Sequence, residues 1–163
     1  MLGRVISSSR RLLTPALLTV AFAAVSCSSS VPTAAPAPTG GAARQCRALQ
    51  KELPRTVDGL ERGTADPVSD FTAVWGDPAV RLRCGVPKPA VLTPGSEHYN
   101  PGADAAEVNG VEWLFEKQDD GYRFTTVLRK TYVEVRVPGK YTPEVDVLTD
   151  LAGAVKKTVP AGV

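Results

Sequence analysis

The spacing of apolar residues changes several times along this 163-residue chain, and each change marks an expected element. From Gln45 to Leu53 the apolar residues Cys46, Leu49 and Leu53 recur at i, i+3 and i+7. That is one face of a short helix, stopped by Pro54. Arg55–Ser69 contains Gly59, Gly63 and Pro67 and reads as loop or a broken helical turn. Ala79–Val86 then alternates strictly, with Val80, Leu82, Cys84 and Val86 on one side and Arg81 and Arg83 on the other, as in a half-buried strand. Pro87–Gly102, with four prolines and two glycines, is an irregular connection.

A second block of alternation follows. A strand starts at Asn109-Gly110 and runs to Lys117, and Asp119-Asp120-Gly121 is a hairpin signal leading into Tyr122–Arg129. In that register Phe115 faces Phe124, Trp113 faces Thr126 and Glu116 faces Arg123. Leu114 then points to solvent. A further strand, Tyr132–Val137, places Val133, Val135 and Val137 inward. The chain closes with a helix expected to use Thr142 as N-cap and Pro143 at its first position. Its apolar stripe is Val145, Leu148, Leu151, Ala152 and Val155. The expected fold class is α+β: a small antiparallel sheet of about four strands, covered on one face by an N-terminal and a C-terminal helix.

Upstream of this domain the pattern has a different meaning. Arg4, Arg10 and Arg11 precede a mostly apolar run, Leu12–Val25, and the small residues Ala24-Val25-Ser26 lead to Cys27. This is the layout of a secretory signal peptide, and a cysteine directly after the cut resembles the lipobox of bacterial lipoproteins. Residues 1–26 are therefore expected to be a signal peptide, with Cys27 carrying the lipid, palmitate included. A simply cleaved signal and a retained membrane helix stay open, but the run has only 14 residues. A helix of that length rises about 21 Å, short of the roughly 30 Å hydrocarbon core. Residues 27–44 are rich in Ser, Pro, Ala and Gly and read as a disordered tether, with residues 45–163 as the single folded domain. A coil of the 18 residues between Cys27 and Cys46 would span roughly 23 Å.

The cysteine count supports this reading. An odd number in an exported chain asks for an explanation, and lipidation of Cys27 leaves Cys46 and Cys84 as one pair. Each lies on the apolar face of its own element, so a disulfide between them is expected. Removing Arg4, Arg10 and Arg11 leaves 16 basic residues against 17 acidic ones, a net charge of −1. A near-neutral domain offers no electrostatic case for nucleic acid or for an anionic membrane surface.

Trp75-Gly76-Asp77-Pro78, Leu82-Arg83-Cys84-Gly85-Val86, Asn109-Gly110-Val111-Glu112-Trp113 and Tyr132-Val133-Glu134-Val135 occur in this order. Together with Val137-Pro138 they resemble the actinobacterial secreted or lipoprotein family catalogued as domain of unknown function 3515. The resemblance covers nearly all of Cys46–Pro160. It implies a small extracytoplasmic domain with a lipid or transmembrane N-terminus, and it supplies no catalytic residues.

Residues that could carry chemistry are few. Beyond the tether the only serines are Ser69 and Ser96, and His98 is the only histidine. Ser96 and His98 share a Pro/Gly-rich loop without the strand–turn–helix setting of a serine hydrolase. Asp146 and Asp150, at i and i+4 on the last helix, could share a hard cation, but helix-dipole and solvation reasons suffice for them. No cofactor, metal or nucleotide motif occurs. The outward sheet face carries Glu112, Glu116, Arg123, Tyr132, Glu134 and Arg136, a mixture that suits a solvated face or a modest protein- or glycan-binding surface. Trp75 either plugs the core at a turn or lines a small cleft with Asp77 and Arg83. Trp75, Asp77, Arg83 and Tyr132 are thus the candidate contact residues. The expected function is that of a lipid-anchored protein on the extracytoplasmic face of the cell membrane, non-catalytic, with an envelope protein or glycan as partner. The alternative class is an envelope hydrolase or transferase.

Overall fold

The computed structural model describes residues 29–162, so the expected signal peptide and Cys27 lie outside the described residues. In chain order come β1 (Val31–Pro32), α1 (Gly40–Glu52), β2 (Thr56–Val57), β3 (Leu60–Glu61), β4 (Ala65–Asp66), β5 (Thr72–Trp75) and β6 (Val80–Val86). A 3-10 turn at Ala90–Leu92 precedes β7 (Ala105–Val108), β8 (Val111–Gln118), β9 (Gly121–Thr126), β10 (Tyr132–Pro138) and α2 (Asp146–Thr158). The main sheet has six strands in the order β5-β6-β10-β9-β8-β7. Every neighbouring pair in it is antiparallel. Two short strand pairs, β1 with β4 and β2 with β3, lie apart from it.

The expectation of a sheet of about four strands, covered on one face only, is therefore corrected. The two additional strands, β5 and β7, form the sheet edges. All four residues of β5 are buried, so it shows no alternation of apolar and polar side chains. In β7 the residues Ala105, Ala106 and Glu107 are exposed, and both residue types have low β-propensity. Asn109-Gly110, read as a strand start, is instead the two-residue turn that joins β7 to β8, with Val108 paired to Val111. Two-residue turns of this composition suit hairpins because both residues tolerate positive φ, here +49° and +82°.

The core lies between the sheet and both helices. Cys46, Leu49 and Leu53 pack in one cluster with Leu82, Cys84, Val133 and Val135 of the sheet. Leu148, Leu151, Ala152 and Val155 of α2 join Trp113 and Phe124 in the same cluster. In the β8–β9 hairpin Trp113 pairs with Thr126, Phe115 with Phe124 and Glu116 with Arg123, around an Asp119-Asp120 turn. Phe115 and Phe124 meet edge to face, with ring centroids 5.0 Å apart. α2 begins later than the Thr142–Pro143 cap suggests. Its flanking residue is Val145, which is exposed rather than part of the stripe.

α1 is joined to the sheet covalently. Cys46 and Cys84 form a disulfide, with their Cα atoms 5.5 Å apart. A salt bridge of 2.8 Å from Lys157 to Glu52 joins the two helices at the surface.

The outer face is also covered, which corrects the tether reading of residues 27–44 over its described part. Val31 donates its backbone N–H to Thr64 and Thr33 donates to Asp66, both at 2.8 Å. Val31 also caps a small cluster of Ala65, Val74 and Ala79. Arg83 Nε then holds the Ala34 carbonyl at 2.9 Å. Gly85 has φ +85°, and a Cβ there would lie 2.6 Å from the Pro38 ring. Glycine thus leaves room for the segment to cross β6. The helix begins at Gly40, inside the stretch read as tether. Towards the other edge of the sheet, Leu114 is fully buried instead of facing solvent. It lies opposite Ala105 and Thr125, in a groove also lined by Leu92, Ala103 and Val127 from the flanking connections.

Two outcomes follow. Leu114→Ala should cost about 2–5 kcal/mol in a denaturant melt, as for any core leucine, not the roughly 0.5 kcal/mol of a surface change. Reduction of Cys46–Cys84, or the double alanine variant, should remove about 4 kcal/mol by the chain-entropy relation for a loop of this size. A Tm unchanged by reductant would show that packing alone holds α1 in place.

Candidate functional site

Because β6, β10, β9 and β8 are neighbours in register, their outward residues line up in rows across the sheet. One row runs Arg81–Arg136–Arg123–Glu116: Arg136 pairs with Arg81 on one side and with Arg123 on the other, and Arg123 pairs with Glu116. Three guanidiniums therefore occupy successive cross-strand positions on one face. The adjacent row contains Arg83–Glu134–Thr125. Like charges directly opposite each other destabilise a sheet unless something lies between them.

Two glutamates neutralise part of this row. Glu116 takes Arg123 through two hydrogen bonds, of 3.0 Å from Nε and 2.6 Å from Nη2. That hydrogen bonding raises the Arg123 pKa above its already high ordinary value. Glu134 is buried, and its Oε1 accepts from Arg83 at 3.2 Å and from Arg136 at 3.1 Å. It thereby fixes two arginines on the sheet floor. The Arg81 side chain has no hydrogen bond or ion pair among the described residues.

Above this floor is a cleft of about 240 Å³. Arg81, Arg83 and Arg136 lie in it, the segment Pro32–Ala34 forms one wall, and Gln118 and Asp120 of the β8–β9 turn line it as well. The arrangement can bind an anion: Arg presents several N–H donors in a fixed fork that matches two oxygens of one group.

The candidate contact residues do not meet. Trp75 points into the core with no exposed surface, donating its indole N–H to the Pro54 carbonyl at 3.2 Å. Arg62 lies over its ring, 5.5 Å from the centroid, and burial lowers the Arg62 pKa. A cleft shared by Trp75 and Arg83 does not form, because the strand pairing sends them to opposite faces. Asp77 sits at the β5–β6 turn, where its carbonyl accepts from Lys140 Nζ at 3.2 Å. Tyr132 is half-buried and lines the groove beside Leu114. Arg83 alone of the four belongs to the arginine cleft. Arg81 and Arg136, which share the cleft with it, and Arg123 beside Arg136 are each readable as outward residues, but their alignment needs the strand order.

Other polar candidates have local roles. Ser96 Oγ accepts the backbone N–H of His98 at 3.2 Å, which is a turn contact and not a side-chain dyad. Asp150 accepts the Asp58 backbone N–H at 2.8 Å and so ties α2 to the β2–β3 turn. Among the described residues no three His, Cys, Asp or Glu side chains gather as a metal set, and no helix is long and apolar enough to cross a membrane.

Compared with known families, residues 12–163 match the one described as Protein of unknown function (DUF3515). The chain belongs to that family. Comparison with curated proteins and with solved structures finds no match. In this DUF3515 chain the arginine row is thus read from its own geometry.

Glu134→Gln should expose what the row costs. It removes the negative charge shared by two arginines and should lower stability by about 2 kcal/mol, against roughly 0.5 kcal/mol for Glu107→Gln on exposed β7. Chemical denaturation of the two variants side by side checks this, and equal midpoints would refute the role given to Glu134.

Proposed function

We propose that this chain is an exported envelope protein, held at the extracytoplasmic face of the cell membrane by a lipid on Cys27, and that it works by binding rather than by catalysis. Support for the location comes from the Arg-rich start, the short apolar run and the small residues before Cys27. The Cys46–Cys84 disulfide agrees with it, since such bonds persist in oxidising compartments. The observation that carries the binding role is the outward arginine row, in which Glu116 holds Arg123, Glu134 holds Arg136 together with Arg83 of the adjacent row, and the Arg81 side chain is left to a partner.

Growth with a clickable palmitate analogue should label the wild type and leave Cys27→Ser unlabelled. Mass spectrometry should place a modified Cys27 at the mature N-terminus. A mature chain that starts elsewhere, or that keeps the apolar run, would overturn the anchor.

A further inference from the structure

We propose that the cleft of Arg81, Arg83 and Arg136 binds a phosphodiester group presented at the membrane surface. Its charge and shape support this ligand. Three guanidiniums in and under the cleft face two acids, Glu134 beneath and Asp120 on the lining, which leaves one positive charge. A phosphodiester carries one negative charge on two equivalent oxygens. Arg81 and Arg136 are direct cross-strand partners, so their Cβ atoms lie about 5 Å apart, and one bridging group would separate the two like charges. Glu134 occupies one face of Arg83 and Arg136 and holds them in place before any ligand arrives. At about 240 Å³ the cleft is smaller than most sites that enclose a whole ligand, so it suits one end of a larger molecule.

Position supplies the source. The cleft wall is Pro32–Ala34, and Val31 is pinned to Thr64. Cys27 precedes Val31 by four residues, so the chain between them reaches at most about 14 Å. If Cys27 carries the lipid, as proposed above, the arginines stand within reach of the headgroup layer. This placement rests on that reading, whereas the anion chemistry of the cleft does not.

The test is a calorimetric titration of the full-length protein in detergent with glycerophosphoglycerol, a water-soluble phosphodiester. A parallel arm uses phosphatidylglycerol in the same detergent, and a third uses glucuronate, a carboxylate of equal charge. Arg81→Gln should weaken the phosphodiester at least tenfold without lowering the Tm, since the Arg81 side chain has no partner to lose among the described residues and faces the like charge of Arg136. Arg81→Lys should weaken it several-fold, because an ammonium cannot present paired donors. Binding of both phosphodiester probes supports a lipid headgroup, and binding of the soluble one alone supports a free phosphodiester. No binding of either, unchanged binding by Arg81→Gln, or glucuronate bound as tightly, would each overturn the proposal. Phosphodiester binding by a protein without lipid on Cys27 would sink only the anchor. A lipidated protein that binds neither probe would sink only the cleft.

Discussion

The alternation of β6 is the constraint on which the rest of the molecule depends. Val80, Leu82, Cys84 and Val86 are buried, while Arg81, Arg83 and Gly85 alternate with them on the other face. Val80, Leu82 and Cys84 build the core, and Cys84 carries the disulfide to α1. The outward residues act separately. Arg81 lines the cleft, Arg83 ties Glu134 to the Ala34 carbonyl, and Gly85 admits Pro38. A slip of one residue would put two arginines into the core and a cysteine at the surface. The core therefore sets the register of the cleft, and Val137 belongs to both.

That register creates a cost which the fold meets only in part. Arg81, Arg136 and Arg123 are successive cross-strand neighbours, an arrangement that repels in the absence of counter-charge. Glu116 answers Arg123 at the far end, and Glu134 reaches from the next row to Arg136 and Arg83. A design for stability alone would have placed an acid opposite Arg81 as well. The uncompensated end of the row, at Arg81, lies in the cleft that Pro32–Ala34 of the N-terminal segment helps to line.

Much of the interior was legible in the sequence, and the reason is physical. β6, β8, β9 and β10 separate water from core, so their side chains alternate, and the hairpin register follows from the turn at Asp119-Asp120. β5 was hidden because Val74 on its outer side is buried under Val31 and Ala65 as Trp75 is buried inside. The N-terminal segment was hidden for another reason. Its attachment runs through backbone hydrogen bonds of Val31 and Thr33, which leave no apolar period to read. Leu114 was misplaced because its cover comes from a proline-rich connection, not from a helix. The arginine row was half visible: each member reads as outward, but β10 lies between β6 and β9 through a long-range pairing that local pattern does not state.

The pinned N-terminal segment changes how the domain stands relative to any anchor upstream. A coil from Cys27 to Cys46 would let the domain turn freely at roughly 23 Å. Attachment at Val31 shortens that span to four residues, and places its origin at the cleft wall instead of at the helix. α1 then packs on the opposite face of the sheet, through Cys46 and Cys84. The described chain therefore enters on the arginine side of the sheet, and both helices pack on the other side. With a lipid on Cys27, as proposed, the cleft would lie on the side of the sheet from which the chain leads to the membrane.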